Sequence, residues 1–359
     1  MNHKEVLELK RRLKKESCSI DRVCGCYVNA GKEKVTTFGN TMLNLEDEEF
    51  FKFLEIANKC LSGKINNNLM NLEYTTEAEL NGEEHKILMS LRESRLRDDA
   101  VLDAFYDHVI ETFDYVGNYL IVLFHDVYDV PTKTTDNLAL DESEVVYDHI
   151  LCAICPVDLS KPGLSYRTDK DNIGARERDW VVGAVNTGFL FPAFNDRSAD
   201  IHSILCYTKN AKEPHTEFWV NGLGVEGRYT SDQKRTAFEQ IVAGPSTEDD
   251  NDDTLLDIQE TLSEYIAERE CLGESVNEDL DKNTVVLLLE ASGVSEKRIS
   301  SFEQKYEEVF KDDKPNAKDL LDEKTIKNNE LRIENRKLQE EINKLKKKLS
   351  DHGIEVEED

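Results

Sequence analysis

A chain of 359 residues that is 39% hydrophobic and 33% charged has room for a sizeable core and too much apolar content for an intrinsically disordered polymer. Its formal net charge of −29 argues against nucleic acid and anionic membrane as partners, since both demand a concentrated basic face. The longest apolar runs, Tyr119 to Phe124 and Val285 to Leu289, are far too short to span a bilayer, and eight cysteines behind an N-terminus without an apolar signal core predict reduced thiols in a cytoplasmic protein.

His3 to Glu16 reads as an amphipathic helix with Val6, Leu9 and Leu13 on one stripe. Val23 to Asn29 and Lys34 to Phe38 read as two strands about the turn Asn29-Ala30-Gly31. Leu45 to Leu61 is a helix, with acidic residues in its first turn and Gly63 just past its end. A short strand at Asn71 to Thr75 precedes a helix pair, Glu83 to Ser94 and Asp98 to Phe113. The apolar runs Tyr119 to Val130, Val145 to Val157, Phe189 to Phe194 and Ile201 to Thr208 follow with no long helix between them. Strands joined without crossover helices pair antiparallel, and unbroken apolar runs imply cover on both faces. Residues 1–210 therefore read as one α+β body, with helices packed onto a largely antiparallel sheet.

Residues 211–281 read as an acidic helical region containing a helix at Ser231 to Ala243 and a linker near 246–253. Residues 282–312 read as a helical hairpin about Ser292-Gly293-Val294, and Pro315-Asn316 is expected to open a coiled-coil helix over 316–350, ahead of an acidic tail at 351–359. In that helix Leu321, Asn328, Asn335, Ile342 and Leu349 fall at a positions and Leu331, Leu338 and Leu345 at d positions. So narrow an apolar stripe needs a partner helix, and asparagines at a favour two parallel strands. The expected partner is a second copy, in a parallel homodimer, with another protein's coiled coil as the alternative.

The stretch Tyr147 to Asn210 carries a family likeness. Its segments Ile150-Leu151-Cys152-Ala153-Ile154-Cys155-Pro156-Val157, Leu159-Ser160-Lys161-Pro162-Gly163-Leu164-Ser165-Tyr166, Asp179-Trp180-Val181-Val182 and Gly188-Phe189-Leu190-Phe191-Pro192-Ala193-Phe194 belong to it. So do Asp196-Arg197-Ser198, Tyr207-Thr208-Lys209-Asn210, Gly25-Cys26-Tyr27-Val28-Asn29, Glu84-His85-Lys86 and Gly293-Val294-Ser295. Together they resemble the bacterial family known as domain of unknown function 4317, over roughly Met1 to Lys311, with the coiled coil as an addition. The resemblance implies a cytoplasmic protein of Gram-positive bacteria and carries no activity, cofactor or site residue.

Motifs that suggest chemistry are weak. Gly293-Val294-Ser295 with Ile299 and Glu303 has helix-turn-helix spacing, but the preceding helix carries five consecutive apolar residues, Val285 to Leu289, and its flanks are acidic, so a structural hairpin over 284–304 is favoured over DNA binding. Cys152-Ala153-Ile154-Cys155 and Cys24-Gly25-Cys26 suggest a zinc site, yet residues three apart on a strand face opposite ways, so neither a metal nor another cofactor is expected. Gly222-Leu223-Gly224-Val225-Glu226-Gly227 matches the dinucleotide fingerprint in letters only, without the βαβ unit around it.

Two features keep a binding or catalytic site open. The segment Asp158 to Asp179, long for a structureless loop, brings Arg167, Arg176 and Arg178 near Arg197 in the next loop, a set able to hold a phosphate or carboxylate. A hairpin centred on Pro131 to Ser143 would set His125 opposite His149, and Asp126 opposite Asp148 on the other face. Opposed carboxylates repel, and a slip of two residues would part them. Such a His-carboxylate group could bind a divalent metal or shuttle a proton. The leading reading is a non-enzymatic, self-associating binding protein. The alternatives are a hydrolase or transferase with its pocket around 158–197, and DNA binding through 284–304.

Overall fold

A computed structural model describes residues 1–131, 145–168, 170–243 and 249–322, and beyond them 324, 325, 327, 328, 331, 338 and 342; of 249–253 it describes the backbone alone. The chain divides into two units, Met1–Thr230 and Ser231–Asp359.

The first unit opens with helix α1 (His3–Arg12), started by a capping box in which the Asn2 side chain accepts from backbone N–H groups and Glu5 reaches back to Asn2. Strands β1 (Ile20–Val28) and β2 (Lys34–Thr41) form a hairpin, and α2 (Asp47–Cys60) carries its acidic residues in the first turn, where the helix dipole favours them. Next come β3 (Leu69–Glu73), α3 (Thr76–Asn81), α4 (Glu83–Ser94) and α5 (Asp99–Thr112), the last capped by Asp98. The two long strands β4 (Asn118–Val130) and β5 (Val145–Leu159) follow. Shorter strands complete the β content: β6 (Leu164–Arg167), β7 (Asn172–Ala175), β8 (Trp180–Val182), β9 (Thr187–Phe191), β10 (Ala193–Asn195), β11 (Ser198–Asp200) and β12 (Ser203–Thr208).

The main sheet runs β2-β1-β4-β5-β9-β12-β3, with β8 also on β5, and its strand pairings are antiparallel. The fold class is therefore α+β. Because side chains alternate along a strand, the sheet feeds two separate cores. Tyr119, Ile121 and Leu123 join Ile150, Cys152 and Ile154 beneath α4 and α5. Leu120, Val122 and Phe124 join Leu151, Ala153 and Cys155 beneath α1 and α2. The unbroken apolar runs of β4 and β5 thus reflect cover on both faces.

Three local features depart from the sequence reading. The segment 158–179 is not structureless: β6 and β7 pair as a hairpin whose Leu164, Tyr166 and Ile173 are exposed. The expected strand Phe189 to Phe194 is divided at the cis Phe191–Pro192 bond into β9 and β10. The first unit also runs past residue 210, because helix α6 (Thr216–Leu223) buries Phe218, Trp219 and Leu223 in the core under α5.

The second unit is helical: α7 (Ser231–Ala243), α8 (Asp249–Leu272), α9 (Lys282–Ala291), α10 (Glu296–Phe310) and α11 (Ala317–Leu320). Of the linker expected near 246–253, residues 246–248 lie outside the described residues, and 249–253 begin α8. Phe238, Leu262, Val285, Leu289, Ile299, Phe302 and Tyr306 share one core. No described helix is long and apolar enough to cross a membrane.

Candidate functional site

The β4–β5 register sets His125 against Ile150, Asp126 against His149 and Val127 against Asp148. This is one residue away from the register expected from the hairpin midpoint, and the physical reason is charge. The expected register opposes Asp126 to Asp148, whereas the observed one puts one histidine and one carboxylate on each face. A single-residue slip exchanges faces, so the two histidines do not meet. His125 and Asp148 face the α4 side, and Asp126 and His149 face the α1 side.

His125 has no exposed surface and both of its ring nitrogens meet carboxylates. Nε2 lies 3.0 Å from Asp148 Oδ1 and Nδ1 lies 2.5 Å from Asp21 Oδ1. Asp21 reaches it through an irregularity in the β1–β4 ladder, where Ile20 pairs with Asp126 but Arg22 pairs with His125. The extra residue turns a carboxylate toward the imidazole, a common use of a bulge. Burial by itself lowers the basicity of His125, but the hydrogen bonds and charges of Asp148 and Asp21 outweigh it and raise its pKa above the ordinary value. For Asp148, burial opposes ionisation while His125, Arg92 and Arg95 favour it more strongly, so its pKa is lowered. Only the imidazolium can donate from both nitrogens, so the group is a carboxylate–imidazolium–carboxylate triad with a buried ring between two half-buried carboxylates.

The end of α4 supplies the outer charges. Arg92 Nε donates to the Asp148 backbone carbonyl at 2.9 Å, Arg95 lies 3.8 Å from the Asp148 carboxylate, and Arg97 lies 3.2 Å from that of Asp21. Arg95 and Leu96 both take left-handed backbone angles (φ 52° and 56°). That turn is held by the buried Leu96 side chain and by Arg22 Nε donating to the Leu96 carbonyl at 2.6 Å.

His149 is the opposite case. Its ring stacks on Tyr147 with centroids 4.1 Å apart, and Nε2 is 3.6 Å from Asp126 Oδ2. Burial lowers its pKa to about 4, which leaves it neutral near pH 7. Asp126 finds its partners elsewhere: Ser19 Oγ donates to it at 2.6 Å and Arg12 at 3.2 Å. Arg12 in turn lies over the Tyr128 ring. The adjoining cavity, lined by Arg12, Asp126 and His149 among others, holds about 20 Å³, enough for one water molecule and too little for a substrate.

The arginines of the 158–197 region are not brought into one pocket. Arg167 donates to the Ala175 carbonyl at 2.7 Å and Arg178 to the Ser160 carbonyl at 2.5 Å, while Arg176 is exposed on the β6–β7 hairpin. Arg197 occupies the two-residue β10–β11 turn and grips Glu8 of α1 with both ends of its guanidinium, at 3.0 and 2.8 Å. Cys152 and Cys155 enter opposite cores, as strand geometry requires. Among the described residues no group of three or more His, Cys, Asp or Glu is arranged to hold a metal ion.

In the heptad segment, Leu321 departs from the expected coiled coil. Its backbone is extended and its side chain packs in the core of the second unit. Asn316 caps the short α11, not the tail helix, and Asp322 accepts from the Thr325 N–H to start a new turn. Asn328, Leu331, Leu338 and Ile342 are helical and exposed, whereas Asn335, Leu345, Leu349 and the acidic tail 351–359 lie outside the described residues. The helix pair at 284–304 buries Val285, Leu289, Ile299 and Phe302 in the same second core.

Sequence reasoning missed Asp21, Ser19, Arg12, Arg92, Arg95 and Arg97. No curated protein and no solved structure matches the chain. A family model does, described as "Domain of unknown function (DUF4317)", and it matches residues 1–353, so the heptad segment is part of the family and no addition to it. That span covers nearly the whole sequence, and the chain belongs to this family.

Proposed function

We propose that the chain is a non-enzymatic, self-associating binding protein whose tail helices pair in parallel. The observation that carries the reading is the exposure of Leu331, Leu338 and Ile342, at 57%, 50% and 43%, each helical and each at a d or a position of the heptads. A row of half-exposed aliphatic side chains at heptad spacing gains its burial from a second helix. Asn328, exposed at an a position, suits a two-stranded parallel register. The internal pairing of His125 supports a non-catalytic body, since neither ring nitrogen is left to accept a proton or bind a metal.

Light scattering tests this on the intact chain and on a chain ending at Asp322, a cut that spares Leu320 and Leu321 in the second core. The expected result is that truncation halves the particle mass, and that Leu331→Glu with Leu338→Glu does the same in the full chain. The same number of chains per particle in all three proteins overturns the proposal.

A further inference from the structure

A cleft of about 590 Å³ lies between the β1–β2 edge of the sheet and the first half of α5, lined among others by Arg22, Thr37, Gly39, Asp99, Asp103 and Tyr106. That volume is in the range of small-molecule sites. Its two walls carry opposite charge. On the sheet side stands Arg22, whose Nε is taken by the Leu96 carbonyl. The outer part of its guanidinium comes forward beside Gly39: a Cβ at position 39 would lie 2.9 Å from Arg22 Nη2 and 3.3 Å from Cys24 Sγ. Any larger residue there would crowd the guanidinium.

On the helix side, Asp99, Asp103 and Tyr106 follow at spacings of four and three, so they share one face of α5. Asp98 caps this helix, accepting from the Ala100 and Val101 N–H groups, which leaves the Asp99 carboxylate out of the cap. Asp103 is held by Lys34 at 2.5 Å. Both walls act on the buried Cys24 thiol beneath Gly39: burial raises its pKa, Arg22 opposes that rise and Asp99 adds to it. Tyr106 is 2% exposed, and its enclosed hydroxyl has no hydrogen-bond partner. A buried hydroxyl of that kind is normally satisfied.

We propose that this cleft binds a free α-amino acid, its carboxylate on Arg22 and its ammonium on Asp99, with the side chain toward Thr37 and Tyr106. A simple anion entering the cleft meets Asp99 and Asp103, and a simple cation meets Arg22. A zwitterion offsets both walls at once, and an arginine fork suits a carboxylate.

Calorimetric titration of the full chain with each proteinogenic L-amino acid tests the proposal, with acetate and methylammonium as single-charge controls. At least one amino acid is expected to bind saturably, with both controls about tenfold weaker or worse, the effect of losing one charged hydrogen bond. Asp99→Asn, at an exposed position, and Gly39→Val, which fills the space beside Arg22, are each expected to weaken that binding about tenfold or more. The proposal fails if no amino acid saturates, if either control binds as well, or if Asp99→Asn leaves the affinity unchanged.

Discussion

His125 and His149 are carried by neighbouring strands of one sheet, and its two faces give them opposite charge states. His125 lies between two carboxylates with arginines behind them and is held as an imidazolium. His149 has Tyr147 stacked on its ring, and its nearest carboxylate, Asp126, is already served by Ser19 and Arg12; it is held neutral. Burial is deep in both cases and lowers both pKa values. The difference lies in the charge and distance of the acceptors: carboxylates at 2.5 and 3.0 Å outweigh desolvation of His125, whereas a carboxylate at 3.6 Å and the Tyr147 carbonyl at 3.3 Å do not outweigh that of His149.

The largest effect is expected from His125→Leu. The substitution removes two charged hydrogen bonds, and because solvent still reaches the Asp21 and Asp148 carboxylates the expected cost is about 2–3 kcal/mol. Urea unfolding at pH 6 measures this. The sign with pH is fixed by the raised pKa: the stabilisation by His125 is fully present below its ordinary pKa of 6.5 and is lost as pH rises through the higher folded value. A loss under about 1 kcal/mol would mean that the triad is solvated and the contrast with His149 is false.

His149 behaves in the reverse sense. Its folded pKa of about 4 lies below the ordinary 6.5, so its contribution is present above pH 6.5 and is lost as pH falls toward 4, by roughly 3 kcal/mol in all. His149→Phe should differ little from wild type at pH 7 and exceed it in stability near pH 4.5, in parallel unfolding curves. Parallel pH profiles for the two proteins would show that His149 protonates freely in the folded state.

Two smaller changes sharpen the comparison. Asp148→Asn removes one of the two charges that sustain the imidazolium, and NMR titration of His125 should show its pKa falling back toward the ordinary value. Ser19→Ala removes a donor from Asp126 on the other face and should cost about 1 kcal/mol. Because neither serine nor arginine titrates in the range, that cost should be the same at pH 5 and pH 7. A cost that grows toward pH 5 would mean that His149, and not Arg12, is the main partner of Asp126.

Much of this fold was legible in the sequence. The apolar runs of β4 and β5 announced strands covered on both faces, and the patterns of α2, α4, α5 and α7 announced helices near their observed ends, whereas α1 stops at Arg12, four residues short of the expected Glu16. Register was not legible, because the midpoint of a hairpin leaves a one-residue uncertainty and one residue is enough to exchange faces. Asp21 escaped notice because only a bulge brings it to His125. The convergence of Arg92, Arg95 and Arg97 depends on a left-handed turn at Arg95 and Leu96 that neither residue type advertises. The opposed charges were the one legible hint, since the register with facing carboxylates was already recognisable as costly.

The one-residue offset of β4 and β5 has a consequence for how this hairpin can change over time. Its phase is keyed by charges borne on the strands, with an imidazole and a carboxylate on each face, so it need not be dictated by the connection between Val130 and Val145. Added or deleted residues in that connection leave the key intact, whereas a single insertion within either strand between the key and the hairpin's far end sets Asp126 toward Asp148 or strips His125 of its partners. The connection is therefore the place to graft a tag or a reporter sequence, and the strands flanking the key are where length cannot drift.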